Sequence, residues 1–376
     1  MKAFSPLRQL GLYLVSLTFA IHIIAILGGR SLIYRYYQKY VFNYIRISYD
    51  NSIGHLPFPF LYIVLPIFIW SWIYLAYKIK NENKSQKAGQ TLKSIFLPLG
   101  NLLGMYIFLF YFLWGMNYYR PAIQPLLHWQ ETIADSLSLK TELQVLTKLA
   151  EKERTRISVD THALQLKTDW KNLEDSIRNL QTKLLQSWSQ PTPGCVRIRG
   201  LYPKGSLLCI STAGVYIPYV CEGHVDIGIH KLQWPFTLAH EMAHGYGWTD
   251  EGECNLVGML TCMKSNDPVI RYSALLTYWR YLYYDFKEKE EANATTFFEL
   301  LPKGIKADLI AIRANNDAYP EYFTAVRDVL YDAYLKMHGM PSGMDSYSQL
   351  VMLMHHWKYS KDAFDLNLED TLSKIH

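Results

Sequence analysis

The chain has 376 residues, half of them hydrophobic, with a formal net charge of +5 and a mean hydropathy of −0.04. That length allows two or three domains and a sizeable core. No basic-aromatic array points to nucleic acid, and the modest positive charge is explained by loop lysines acting as topology signals.

A near-zero average with so many apolar residues means that they are either dispersed or concentrated, and here they are concentrated. Leu10 to Leu27 is broken only by Ser16, Thr18, His22 and small residues; Phe58 to Tyr77 and Ile95 to Met116 carry no charge. At about 1.5 Å per helical residue, each can cross a hydrocarbon layer of about 30 Å. The sequence therefore predicts three transmembrane helices, about 10–27, 58–77 and 95–116, in a membrane domain spanning 1–120. The first has Lys2 and Arg8 before it and Gly28-Gly29 after it, as a cleaved signal peptide would. Its apolar stretch is longer than a signal core of about 7–15 residues, and two further spans follow, which favours a retained anchor.

Lys78, Lys80, Lys84, Lys87 and Lys93 crowd the connection between the second and third spans, against a single Glu82. By the positive-inside rule this side faces the cytoplasm, with the loop from Arg30 to Pro57 and everything after the third span outside. Arg30, Arg35, Lys39 and Arg46 weaken that contrast. The expectation is a multi-pass protein of the inner membrane, with the bilayer as a partner. Trp70, Trp72, Trp114, Tyr118 and Tyr119 fall near span ends, where amphipathic rings favour the interface. Pro66 and Pro98 are tolerable kinks.

From 121 to 190 the pattern predicts a helical connector. Leu139, Leu143, Leu146 and Ala150 recur at helical spacing, then Trp170, Leu173, Ile177, Leu180 and Leu184. Gln190-Pro191-Thr192-Pro193-Gly194 reads as a linker. The remainder, 191–376, is expected to be a mainly helical domain with a small antiparallel sheet, giving an α+β chain. Val196 to Arg199 alternates, and Leu207 to Tyr219 is rich in β-branched and aromatic residues. Gly214-Val215-Tyr216-Ile217-Pro218 is a candidate edge strand for an extended substrate, or a plain core strand ended by Pro218. The cysteines, 195, 209, 221, 254 and 262, form no Cys-x-x-Cys pair. Outside the cytoplasm an odd count leaves at least one thiol unpaired.

The chemistry resides in His240-Glu241-Met242-Ala243-His244. On a helix, positions four apart share a face, so two imidazoles can grip one tetrahedral metal, expected to be Zn2+. Glu241 stands beside that metal rather than on it, placed to take a proton from activated water. A catalytic zinc needs a third protein ligand, and three carboxylates compete. Asp250 occupies the last position of a metzincin-type His-Glu-x-x-His-x-x-Gly-x-x-His/Asp pattern, with Gly247 at the turn. Glu251 starts Glu-x-x-x-Asn, which is similar to the Glu-x-x-x-Asp of gluzincins; Asn255 would share its helix face and contact a ligating group. Glu253 points elsewhere on a regular helix. Glu251 is preferred, with Glu253 and Asp250 as alternatives.

Glu290-Glu291-Ala292-Asn293 imitates a ligand motif but has Lys289 where the ligand should be, so it reads as a solvated face. His224 and His230 read as loop histidines. Arg271, Tyr272 and Tyr347 are possible oxyanion donors, although an aromatic core role suits the tyrosines better.

The residues Leu113-Trp114-Gly115-Met116-Asn117-Tyr118-Tyr119-Arg120, Pro235 to Gly245, Glu251 to Asn255, Tyr334-Leu335-Lys336 and Gly343-Met344-Asp345-Ser346-Tyr347 resemble a bacterial domain-of-unknown-function family. Its members look like three-span, membrane-anchored zinc peptidases. The resemblance implies a gluzincin-like, zincin-type domain that hydrolyses a peptide or protein at an extracytoplasmic site, with no particular substrate. The alternative is a zinc-dependent membrane sensor or binding protein with a non-catalytic metal.

Overall fold

Runs of apolar residues become helices in lipid because backbone groups there must be satisfied within the segment. The computed structural model describes residues 9–82, 88–130, 136–322, 324–337 and 349–364. It opens with α1 (Leu10–Ile24), α2 (Arg30–Tyr37) and α3 (Asn43–Asp50), joined through π-helical turns at Ala25–Gly29 and Gln38–Phe42. Gly28, at φ 107°, marks a kink. The helical run extends over 46 residues from Leu10 to His55, about 70 Å at helical rise and more than twice the hydrocarbon thickness. The segment expected as a loop from Arg30 to Pro57 is thus helical over α2 and α3. No Gly or Pro between Arg30 and Ser52 interrupts it.

α4 (Leu61–Glu82) and α5 (Ala88–Leu113) carry Pro66 and Pro98 inside them. Together with the first run, they make three helices long and apolar enough to cross a membrane. Ile26, Trp70 and Phe96 point outward from them, as lipid-facing side chains would. Trp114, Tyr118 and Tyr119, expected at an interface, are instead buried. Arg30 donates to the Tyr118 carbonyl at 2.7 Å, and Trp114 packs edge-on against Tyr118. Lys84 and Lys87 lie outside the described residues.

The compact unit built on these helices runs to Arg120 and also includes Pro193–Cys195 and Ile217–Glu222. Buried Arg46 and Asp50 pair at 2.9 Å inside it. Arg46 also donates to the Cys221 carbonyl at 2.5 Å, and Asp50 accepts from the Cys195 amide at 2.6 Å. Glu222 accepts from the Phe60 amide at 2.9 Å, and the Tyr219 hydroxyl donates to the Tyr106 carbonyl at 3.2 Å.

The second unit takes the rest of the chain. It contains α6 (Ile123–Leu127), α7 (Ser136–Ile157), α8 (Trp170–Ser187), β1 (Arg197–Leu201), β2 (Gly214–Ile217) and β3 (Glu222–Asp226) except for Ile217 and Glu222, α9 (Trp234–Gly245), α10 (Glu251–Met263), α11 (Pro268–Lys289), α12 (Glu291–Glu299), α13 (Lys303–Asp317), α14 (Thr324–Met337) and α15 (Leu350–Lys358). Periodic leucines seat α7 and α8: Leu143, Leu146 and Ala150 of the first, and Ile177 and Leu184 of the second, are fully covered. α7 packs on α11, and α8 on α9 and α10, so residues 121–192 are built into this unit. Asp308 of α13 is its main polar knot. Buried, it accepts from Arg154 at 2.7 Å, the Leu164 amide at 2.7 Å and the Tyr272 hydroxyl at 2.8 Å.

The strand order is β1-β3-β2. A four-residue connection makes β2 and β3 an antiparallel hairpin, and the Asp226 amide reaches the Ala213 carbonyl at 2.9 Å. β1 pairs with the other side of β3, with the Ile227 amide facing the Leu201 carbonyl. That makes β1 parallel to β3 and the sheet mixed, not antiparallel as expected. A crossover through residues 202–213 takes the chain past β3, so β2 stands at an edge.

Candidate metal centre

Two helices build the centre. α9 has Pro235 in its first turn, where a missing N–H is harmless. From Leu238 to Gly245 it is buried on every side. Gln181 of α8 fixes its backbone by donating to the Ala239 carbonyl at 2.8 Å. α10 starts after Asp250, whose carboxylate caps it by accepting from the Glu253 amide at 2.9 Å. The two helices cross closely. A side chain at Gly258 would come within 3.0 Å of the His240 amide nitrogen, so glycine there lets α10 press on α9 and deliver Glu251.

At the crossing, the Nε2 atoms of His240 and His244 face each other at 3.2 Å. Glu251 Oε2 lies 3.1 Å from the first and 3.4 Å from the second. These donor atoms all fall within 4.8 Å of one another, a group that could hold a metal ion. The other ring nitrogen of His244 lies 3.0 Å from the Trp248 carbonyl. Donation from Nδ1 to that oxygen leaves Nε2 with its lone pair aimed at the centre.

Electrostatics agree with this grouping. Burial alone would raise the Glu251 carboxyl, but His244 and the hydrogen bonds from His240 and His244 hold it well below the ordinary value. Burial would lower the His244 imidazole, yet Cys254 and Glu251 beside it carry it well above the usual histidine value. His244 is thus shifted toward its protonated form and Glu251 toward its charged form. Glu241 is different. Burial pushes its carboxyl up to about 7, against the pull of His240 and His244, and no hydrogen bond reaches its Oε2 among the described residues. Two imidazole nitrogens, one carboxylate oxygen and an adjoining carboxylate left outside the set fit the donor chemistry of an open zinc site.

β2 passes directly over this carboxylate. A Cβ at Gly214 would lie 2.6 Å from Glu241 Oε1, so only glycine lets the strand approach.

Residues 37–355 match the family described as a protein of unknown function, DUF3810. The chain belongs to the DUF3810 family. No curated protein and no solved structure matches it. The DUF3810 match takes in every residue of the centre and of the hairpin over it.

The remaining candidates in this DUF3810 chain are placed elsewhere. Glu253 accepts from the Ile123 amide at 2.5 Å, and Asp250 is spent on its cap. Asn255 donates to the Tyr281 hydroxyl at 3.4 Å rather than to a member of the donor group. Tyr272 is buried against Asp308, Arg271 faces Glu153 at 3.5 Å, and Tyr347 lies outside the described residues. Glu290 accepts from Asn293 at 2.8 Å, and Glu291 is exposed. His224 is not a loop residue but a fully buried member of β3, whereas His230 accepts from the Leu232 amide at 3.3 Å and caps a short turn. All five cysteines are free thiols. One neighbour escaped the sequence reading. The Tyr331 hydroxyl donates to Glu251 Oε1 at 2.5 Å, and no motif around Tyr331 signals it.

Proposed function

We propose that this protein is a membrane-anchored zinc metallopeptidase with a zincin-like catalytic domain and an extracytoplasmic active site. The observation that carries the reading is the buried Glu241 carboxylate beside, but not part of, the convergent His240, His244 and Glu251 donors. A purely structural metal has no use for such a base, and a closed site would add a fourth protein donor. Among the described residues the group has three.

His240, His244 and Glu251 would hold the ion, with Asp250 and Glu253 engaged elsewhere. When bound, zinc supplies Lewis acidity toward a carbonyl and lowers the pKa of water. The chain supplies the proton transfers. Glu241, with a carboxyl near neutrality, takes a proton from the attacking water and passes it to the leaving amine. As an outer strand, β2 would offer backbone pairing to an extended peptide, a recognition mode tolerant of sequence. The lysine-rich connection between α4 and α5 supports a cytoplasmic location for that turn and an opposite side for the catalytic unit.

The test compares full-length wild type with Glu241→Gln on a peptide mixture, with zinc measured in both. Retained zinc and lost hydrolysis in the variant is the expected result. Retained zinc with full hydrolysis refutes the mechanism. A zinc-loaded wild type that cleaves nothing, in cells where no extracytoplasmic polypeptide accumulates on Glu241→Gln substitution, favours the sensor alternative.

A further inference from the structure

A carboxylate ligand has two oxygens, and a metal site works as built only if the correct one faces the metal. Glu251 is 4 % exposed, and its oxygens are treated differently by their surroundings. Oε2 points between the two imidazoles, at 3.1 and 3.4 Å. Oε1 accepts the Tyr331 hydroxyl at 2.5 Å, a length typical of a strong hydrogen bond to an ionised oxygen. Tyr331 comes from α14, 80 residues beyond Glu251 and outside both helices that carry the donors. Its ring is itself held in place, stacked on Tyr334 one turn away with centroids 5.9 Å apart and planes 15° apart.

We infer that Tyr331 is a positioning residue for the metal centre: by holding Oε1 of Glu251, it commits the carboxylate to single-oxygen ligation through Oε2. The inference rests on the proposed metal site. Three physical effects follow from the one bond. It blocks the rotation that would bring both oxygens toward the ion. It compensates part of the charge on a buried carboxylate that faces the metal with only one oxygen. It also ties α14 to the centre, so that the donor set is complete only when this helix is docked. Groups that orient metal ligands in this way typically contribute about 10–100-fold in metal affinity.

The experiment uses the full-length protein in detergent and reads metal binding, not hydrolysis. Zinc affinity is measured by competition with a chelating dye, and coordination by the visible absorption of the Co2+-substituted protein. Wild type should take one zinc. Tyr331→Phe should still take one, with affinity about 10–100-fold lower and a changed Co2+ spectrum as Glu251 turns its second oxygen inward. Tyr334→Phe keeps the ring stack and should match wild type in both readings.

A second arm approaches the bond from its other end. Glu251→Asp draws the carboxylate away from Tyr331 and weakens zinc binding by itself; in that background Tyr331→Phe should add nothing. This arm decides whether the two side chains act through one bond. Wild-type affinity and spectrum in Tyr331→Phe, equal losses in Tyr334→Phe, or full additivity with Glu251→Asp would each overturn the role of Tyr331 while leaving the metal site standing. A wild type that takes no zinc would instead overturn the metal site.

Discussion

Replacing Glu241 with glutamine should stabilise the metal-free protein, and only away from acidic pH. Glu241 is 4 % exposed, and burial moves its carboxyl from 4.5 to about 7. A carboxyl raised in the folded state binds its proton more tightly there than in the unfolded chain. Its favourable contribution is therefore fully present below about 4.5, declines as pH rises through about 7, and is absent above that. At about 1.4 kcal/mol per pH unit, the difference is about 3.5 kcal/mol. This is an upper limit, because the charges of His240 and His244 beside the carboxylate oppose the effect of burial. Glutamine has nearly the same shape as the protonated acid and cannot ionise, so it escapes the loss. Thermal unfolding of the chelator-treated, full-length protein in mild detergent would show this. The variant and wild type should coincide near pH 4, and the variant should melt higher at pH 8. Saturating zinc should narrow the gap, since a cation beside the carboxylate favours its charged form. Equal metal-free stabilities at pH 8, or a gap that does not change with pH, would refute this account of Glu241.

Asp250→Ala should remove a helix cap, costing about 1 kcal/mol, yet leave zinc stoichiometry unchanged; Glu251→Ala should abolish stoichiometric zinc, as total-metal analysis of the two proteins will show. Gly214→Ala puts a methyl group within 2.6 Å of Glu241 Oε1, so peptide hydrolysis should drop at least tenfold while zinc is retained. A Gly214→Ala variant that hydrolyses peptides as the wild type does would mean that β2 can lift away at no cost. Asp308→Ala strips three donors of their buried partner and should destabilise the second unit by about 3–5 kcal/mol, visible as a lowered melting transition at unchanged metal content.

Much of this architecture is legible in the chain because it depends on local patterns. The charge-free runs reveal α4 and α5, and the repeating leucines reveal α7 and α8, since each pattern expresses which face of one helix is buried. The His-Glu-x-x-His segment reveals its own geometry for the same reason: four residues along a helix place both imidazoles on one side. Helical spacing favours Glu251 over its neighbours, and the structure brings its carboxylate to the imidazoles while Asp250 and Glu253 turn to backbone amides. What escaped depends on contacts between distant segments. The β1–β3 pairing follows from a crossover that leaves no mark on either strand. His224 reads as a loop residue in the sequence, yet it lies in β3, where Gly223 beside it fits the strand against Glu241, whose Cβ would lie 3.0 Å from a Gly223 side chain. Tyr331 sits in a helix like many others in a chain with 29 tyrosines, and only the packing of α14 gives it a partner. The helical course from Arg30 to Asp50 is open to detection, since no Gly or Pro there breaks a helix; its place between two predicted spans gives it the look of a loop.

The hairpin between β2 and β3 has its arms in one compact unit and its tip, Ile217–Glu222, in the other. A shortened gene that begins at Pro121, the obvious route to a soluble fragment, would keep that tip but delete Arg46, Phe60 and Tyr106. The Cys221 carbonyl and the Glu222 carboxylate would lose the donors they use now. For the same reason, a protease that nicks the chain after Arg120 would leave the first unit in two pieces, with the tip held to the helices by the hydrogen bonds from Arg46, Phe60 and Tyr219. Purification strategies for this protein, and any gene-fusion experiment that swaps its membrane segment for another, must carry the first 120 residues and the hairpin together.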